Sequence, residues 1–225
     1  MSKLWKLSVI ALAAALASAC ATQAPQESHD GLVLQADTQF QEVYLLPDAD
    51  LSSYSTFGLT GCDVAFRKNW LRDQNSSRVD LGSRVTQEDV DKIKDRLGEQ
   101  CEEYFRQALL QAPPYTLVDE FDNGEAVLVV SPSIINLDIN APDTMSPGMN
   151  RSYTTSAGEM TLMLELADGT TGQTLARIVD RRRGRESGRM QWTNGVTNKA
   201  DADRALKRWA GMLREGMDRV TGRAL

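Results

Sequence analysis

Apolar residues recur at threes and fours through one stretch of this 225-residue chain, at Val90, Ile93, Leu97, Cys101, Tyr104, Phe105 and Ala108. That spacing lays a single apolar stripe along a helix. Thr86 stands where an N-cap belongs, Asp89 supplies the acid of an approximate capping box, and Pro113-Pro114 stop the helix. A second stripe, Ala202, Ala205, Leu206, Trp209, Leu213, Met217 and Val220, predicts a last helix from about Asp201 to Val220. Between the two helices the period shortens to two. Four strands are expected there: Tyr115–Val118, Ala126–Ile139, Gly158–Leu166 with Met160, Leu162, Leu164 and Leu166 on one face, and Leu175–Asp180. The turn Asp168-Gly169-Thr170-Thr171-Gly172 joins the last two as a hairpin. Ahead of the first helix, Phe40–Leu46 is a short apolar segment closed by Pro47-Asp48-Ala49-Asp50. Tyr54–Phe66 reads as one strand with Phe57 and Leu59 on one face, and its Gly58 and Gly61 point to a bulge or a close neighbour. Arg67–Ser83 is mostly polar, with Trp70 and Leu71 among its few apolar residues, and reads as a long connection. The order strand, helix, several strands, helix predicts an α/β (α+β layered) fold, a mostly antiparallel sheet packed by two amphipathic helices.

The N-terminus follows a different pattern. Lys3 and Lys6 precede an almost wholly apolar run, Leu7–Leu16, and Ala17-Ser18-Ala19 offers a small-residue cleavage site. This order is that of a secretory signal peptide, and its apolar run is too short for a permanent span. Cys20 directly after the small residues resembles the lipobox of bacterial lipoproteins, with Ala17 where Leu is usual. The resemblance implies lipidation at Cys20 after removal of 1–19, and Ala21 in place of Asp favours the outer membrane. The alternative is an ordinary secreted protein cut after Ala19, with Cys20 a plain thiol. Residues 20–36 are then a lipidated N-terminus and flexible tether, and 37–222 a single domain.

Charge narrows the partners. Cleavage removes two of the 25 basic residues and none of the 31 acidic ones, taking the net charge from −6 to −8. An acidic chain is a poor general binder of nucleic acid, so none is expected. Cys62 and Cys101 remain, and in an oxidising compartment they either form a disulfide or stay as two buried thiols.

Catalytic signatures are missing. His29 is the only histidine and lies in the tether, which excludes Ser-His-Asp and Cys-His catalysis and any histidine-based zinc site in the domain. No Ser-x-x-Lys, Gly-x-x-x-x-Gly-Lys or helix-opening Gly-x-Gly-x-x-Gly occurs. No catalytic residue, cofactor or metal is expected. Acid pairs such as Asp48 with Asp50 and Asp201 with Asp203 lack calcium-loop spacing and suit a strand end and a helix start.

Three stretches remain as candidate binding surfaces. In the first, Arg67, Lys68 and Arg72 surround Trp70, a combination suited to an anionic polymer, a headgroup or a sugar. The alternative is that Phe66 and Trp70 pin the segment to the core. The second is the connection Asn140–Thr155, with Pro142, Asp143, Pro147, Gly148, Arg151 and Tyr153, long for a link between strands. The third is the basic run Arg181, Arg182, Arg183, Arg185 and Arg189, partly offset by Asp180 and Glu186.

Three segments resemble a family of bacterial envelope lipoproteins, domain of unknown function 3313. They are Ala65-Phe66-Arg67-Lys68-Asn69-Trp70-Leu71-Arg72-Asp73, then Asp138 through Ser146, and Gly158-Glu159-Met160-Thr161-Leu162 running on to Leu175-Ala176-Arg177-Ile178-Val179-Asp180. The resemblance extends from about Asp37 to Val220 and implies a signal peptide, a lipid anchor and a small α/β domain without assigned activity. The expectation is a non-enzymatic module tethered to the membrane through Cys20 that binds a protein or a cell-envelope component in the periplasm. The alternative is a hydrolase using a carboxylate pair on an envelope glycan, with Asp138, Asp143 and Glu159 as its acids.

Overall fold

The computed structural model describes residues 26–76, 78, 82, 84–120, 126–140, 152–154, 158–184, 191–193 and 195–223. Its strands are β1 (Val33–Leu34), β2 (Glu42–Leu45), β3 (Thr56–Leu59), β4 (Asp63–Phe66), β5 (Thr116–Val118), β6 (Val127–Ile139), β7 (Ser152–Thr154), β8 (Gly158–Asp168), β9 (Thr174–Arg183) and β10 (Gln191–Thr193). Its helices are α1 (Trp70–Asn75), α2 (Gln87–Leu110) and α3 (Gly195–Val220). Eight strands form one open sheet in the order β1-β2-β9-β8-β6-β3-β5, with β4 also paired to β6. The β3–β5, β3–β6 and β4–β6 pairs are parallel and the others antiparallel. A separate ribbon pairs β7 with β10. The expected mixed architecture, with a mostly antiparallel sheet and two long amphipathic helices, is present, and the hairpin turn Asp168–Gly172 joins β8 to β9.

Alternation decides which face meets the helices. Met160, Leu162, Leu164 and Leu166 of β8 and Leu128, Val130 and Ile134 of β6 are buried. They share one core with Leu97, Cys101, Phe105 and Leu109 of α2 and Leu206, Trp209, Leu213 and Met217 of α3. Both stripes read from the sequence therefore lie on one face of the sheet. The box at the start of α2 also forms, with Thr86 Oγ1 accepting from Asp89 N and Asp89 Oδ2 accepting from Thr86 N.

Besides an α3 that opens at Gly195 rather than about Asp201 and a strand, β7, inside the Asn140–Thr155 connection, the structure departs from the sequence reading in three larger ways. The single strand expected over Tyr54–Phe66 is two, because the chain leaves the ladder at Thr60-Gly61-Cys62. Pro132 of β6 lies opposite this gap, where its missing N–H costs no ladder bond. The detour carries Cys62 to α2. There a Cβ on Gly98 would stand 2.7 Å from the Cys62 carbonyl oxygen, so only glycine admits this approach. Cys62 and Cys101 are joined by a disulfide, the first of the two sequence alternatives.

Second, the connection over Arg67–Ser83 contains α1. Third, the fold begins before residue 37. Glu27 bridges to Val33, Leu34 N donates to Gln26 O at 2.9 Å, and β1 pairs with β2. Leu32 is 1 % exposed. Arg177 clamps the turn, its Nη1 and Nη2 donating to the two Asp30 oxygens at 3.1 and 2.7 Å. Residues 26–36 therefore belong to the folded unit rather than to a tether.

Two further contacts close ends of the fold. Arg214 of α3 lies buried against the C-terminus of α2. Its Nη1 donates to Ala108 O, Leu109 O and Gln111 O, its Nη2 to Pro113 O, and its Nε to both Asp218 oxygens at 2.9 and 2.8 Å. Tyr115 Oη donates to Asp218 Oδ1 at 2.7 Å, and the Arg214 guanidinium lies over the Tyr115 ring. At the end of β2, the Gln41 side-chain amide accepts from Arg181 N at 3.0 Å and donates to Arg181 O at 3.2 Å, replacing the backbone pair that a longer strand would have made.

Candidate functional site

Trp70 opens α1 and is 1 % exposed. Its ring lies 4.1 Å from that of Phe66, centroid to centroid, and Val85 and Val90 complete a small apolar cluster beside it. Its Nε1 donates to Ile139 O at 3.2 Å, and Gln74 Nε2 donates to the same oxygen at 3.0 Å. The Asn75 amide exchanges both hydrogen bonds with the Val85 backbone. These bonds fix α1 against the end of β6. Trp70 is thus a packing residue, the second of the two sequence alternatives, and takes no part in an exposed binding surface.

The charges around it are largely matched. Arg67 Nε donates to Asp138 Oδ2 and Arg67 Nη1 to Asp73 Oδ2, both at 2.7 Å. Arg72 pairs with Asp73 at 3.2 Å while remaining 74 % exposed. The Arg67 hydrogen bond, aided by Arg72, holds the Asp73 carboxyl below its ordinary range. Lys68 is exposed and makes no ion pair among the described residues.

Asp138 is registered opposite Glu159 of β8. Glu159 in turn accepts from Arg181 Nη2, at 2.6 Å to Oε2, and from Arg183 Nε at 3.1 Å. Partial burial pushes the Glu159 carboxyl up, and the two arginines outweigh it, leaving the group below its ordinary range. Arg182 faces the other side of the sheet, where its Nε lies 2.8 Å from the fully buried Asp180. The basic run is therefore split between two faces. The fold brings together what the sequence offered separately: the Arg67–Arg72 segment, Asp138 and Glu159 of the hydrolase alternative, and two arginines of the third stretch. The result is a charged ladder along one end of the sheet in which arginines flank the adjacent acids Asp138 and Glu159.

Asp143 and Arg151, like Cys20, Arg185 and Arg189, lie outside the described residues. Tyr153 is in β7, its backbone registered with Trp192 of β10. Asp138 and Glu159, as direct cross-strand neighbours, are the described acids that the hydrolase alternative would draw on. A general acid, however, needs its pKa raised, and Glu159 is shifted the other way. Among the described residues no group of three or more His, Cys, Asp and Glu is placed to hold a metal. An open depression of about 330 Å³ lies elsewhere, along α3, lined by Gln39, Lys207, Arg208, Gly211, Met212 and Glu215.

Sequence reasoning missed the Arg177–Asp30–Glu165 cluster and the Arg214–Asp218–Tyr115 lock. Arg177 is 147 residues from Asp30, and Arg214 lies 101 to 106 residues from the backbone carbonyls it receives. Only the i, i+4 spacing of Arg214 and Asp218 gave a local signal.

A family model described as "Protein of unknown function (DUF3313)" matches residues 28–213. The chain belongs to this family. The DUF3313 match starts inside the segment that the Arg177–Asp30 clamp holds, in keeping with the early start of the fold. This DUF3313 protein is also similar to the PelC dodecamer from Paraburkholderia phytofirmans, at 11 % identity and a TM-score of 0.38, over 76 % of this chain and 96 % of that one. A candidate lipoprotein from Caulobacter crescentus CB15 is similar at 12 % identity and a TM-score of 0.34, over 78 % of this chain and 96 % of that one. No curated protein matches the chain.

Proposed function

We propose that this DUF3313 protein is a lipid-anchored envelope protein whose domain serves as a non-catalytic binding module. In this reading Cys20 carries the acyl chains, the membrane is the outer one, and the domain faces the periplasm. The observation that carries it is Ala17-Ser18-Ala19-Cys20 following the apolar run Leu7–Leu16. A single acyl chain, at about 0.8 kcal/mol per buried methylene, holds a protein only marginally, and lipoprotein modification supplies more than one. The Cys62–Cys101 disulfide suits an oxidising compartment. Cys20→Ala is expected to move the protein from the membrane pellet to the soluble periplasm. Retention of the variant in the pellet would remove the anchor.

The binding reading rests on the charged ladder at the end of β6. Its paired carboxylates favour recognition over acid–base chemistry, and Lys68, Arg72, Arg181 and Arg183 are its exposed cations. The partner is a protein or a cell-envelope component with matching acidic groups. Crosslinking in intact envelopes is expected to capture a defined species with the wild type and to lose it with Lys68→Glu/Arg72→Glu, at unchanged thermal stability. Equal capture by both proteins would place the binding surface elsewhere.

A further inference from the structure

The early start of the fold leaves little chain between the proposed anchor and the domain. Only residues 21–25 separate Cys20 from Gln26. Six residue steps, fully extended, reach about 20 Å at most. Gln26 is not free to add length. Its carbonyl accepts from Leu34 N, Ser28 N donates to Leu32 O at 2.8 Å, and Leu32 N donates to Ser28 Oγ at 3.0 Å. The turn is tied to β9 by the double hydrogen bond from Arg177 to Asp30, and Arg177 is itself braced by Glu165 at 2.8 Å. Gln35 N then donates to Val43 O. The whole segment lies along the β1 edge of the sheet.

On the anchor reading above, which this rests upon, the length of the linker sets an orientation. We propose that the sheet edge formed by residues 26–35 docks against the bilayer surface, so that the opposite edge, carrying β5, points away from the membrane. Six strand spacings separate β1 from β5, about 30 Å at about 4.8 Å each. That distance exceeds the reach of the linker, so the two edges cannot exchange places while residues 26–35 stay folded. Val33 on the docked edge is one of the few large apolar side chains left exposed among the described residues, at 39 %. The acid of the turn, Asp30, is neutralised by Arg177. This edge therefore brings an apolar contact and a screened Asp30 toward the lipid, with Glu27 its exposed acid outside any ion pair among the described residues.

The test uses the full-length lipidated protein in vesicles of phosphatidylethanolamine and phosphatidylglycerol containing a nitroxide-headgroup lipid. Val33→Cys and Thr116→Cys each add one free thiol for a fluorophore, because Cys62 and Cys101 are bonded. The Val33 probe is expected to lose about twofold or more of the emission lost by the Thr116 probe, given the reach of the linker. Inserting about 20 Gly/Ser residues between Pro25 and Gln26 adds roughly 25 Å of mean reach and should erase the difference. Equal quenching at both sites in the unextended protein, or stronger quenching at Thr116, overturns the orientation while leaving the anchor intact. Failure of the protein to float with the vesicles overturns the anchor and the orientation with it.

Discussion

Arg214 answers to two helices at once. It reads locally as the i, i+4 partner of Asp218, yet its guanidinium also caps carbonyls at the end of α2, where a cation is favoured by the helix dipole. Removing it strands a buried carboxylate and several carbonyls. Arg214→Met is therefore expected to cost about 3–5 kcal/mol, read as a fall in the urea midpoint. Burial pushes the Asp218 carboxyl up, but bonds from Arg214 and Tyr115 hold it below its ordinary value of 3.8. A group depressed in this way contributes stability that is complete above its unfolded pKa and is lost as pH falls through the folded one. The variant should thus begin to unfold at a higher pH than the wild type in an acid titration, and coincident transitions would count against the assignment. At Trp70 the sequence showed an aromatic among basic residues, a pattern shared by stacking sites and by pinned loops. Its partners Val85 and Ile139 settle the choice, and they lie 15 and 69 residues away.

At the scale of elements, α2, α3 and the β8–β9 hairpin were legible because each is specified by local period, caps or turn residues. The break between β3 and β4 was not. It depends on Pro132 and Gly98, which belong to other elements, and the two glycines in the strand gave only a hint of it. The parallel pairings were hidden for a similar reason, since β3 finds β6 about 70 residues later. The disulfide fastens this break to α2 across a separation of 39 residues. In the chain-entropy account such a loop contributes about 4 kcal/mol. Cys62→Ser, Cys101→Ser and reduction of the wild type should each lower the denaturation midpoint by a similar amount. An unchanged midpoint on reduction would show that packing around Gly98 holds the junction unaided.

For the molecule as a whole, the fold class was legible in the sequence, but the beginning of the folded unit was read too late, because residues 26–36 show no apolar period of their own. Their order comes from Arg177 and β2, contacts that no local pattern encodes. The first and third candidate surfaces likewise looked unrelated until strand register set Asp138 beside Glu159. An open sheet has one more problem to solve: each exposed strand edge is a template for an unwanted strand. Where β2 stops short, Gln41 occupies the N–H and C=O of Arg181 with its own amide. A side chain thus plays the part of a terminating residue, and β9 offers no free ladder pair at that point to an extended peptide or an unfolding neighbour.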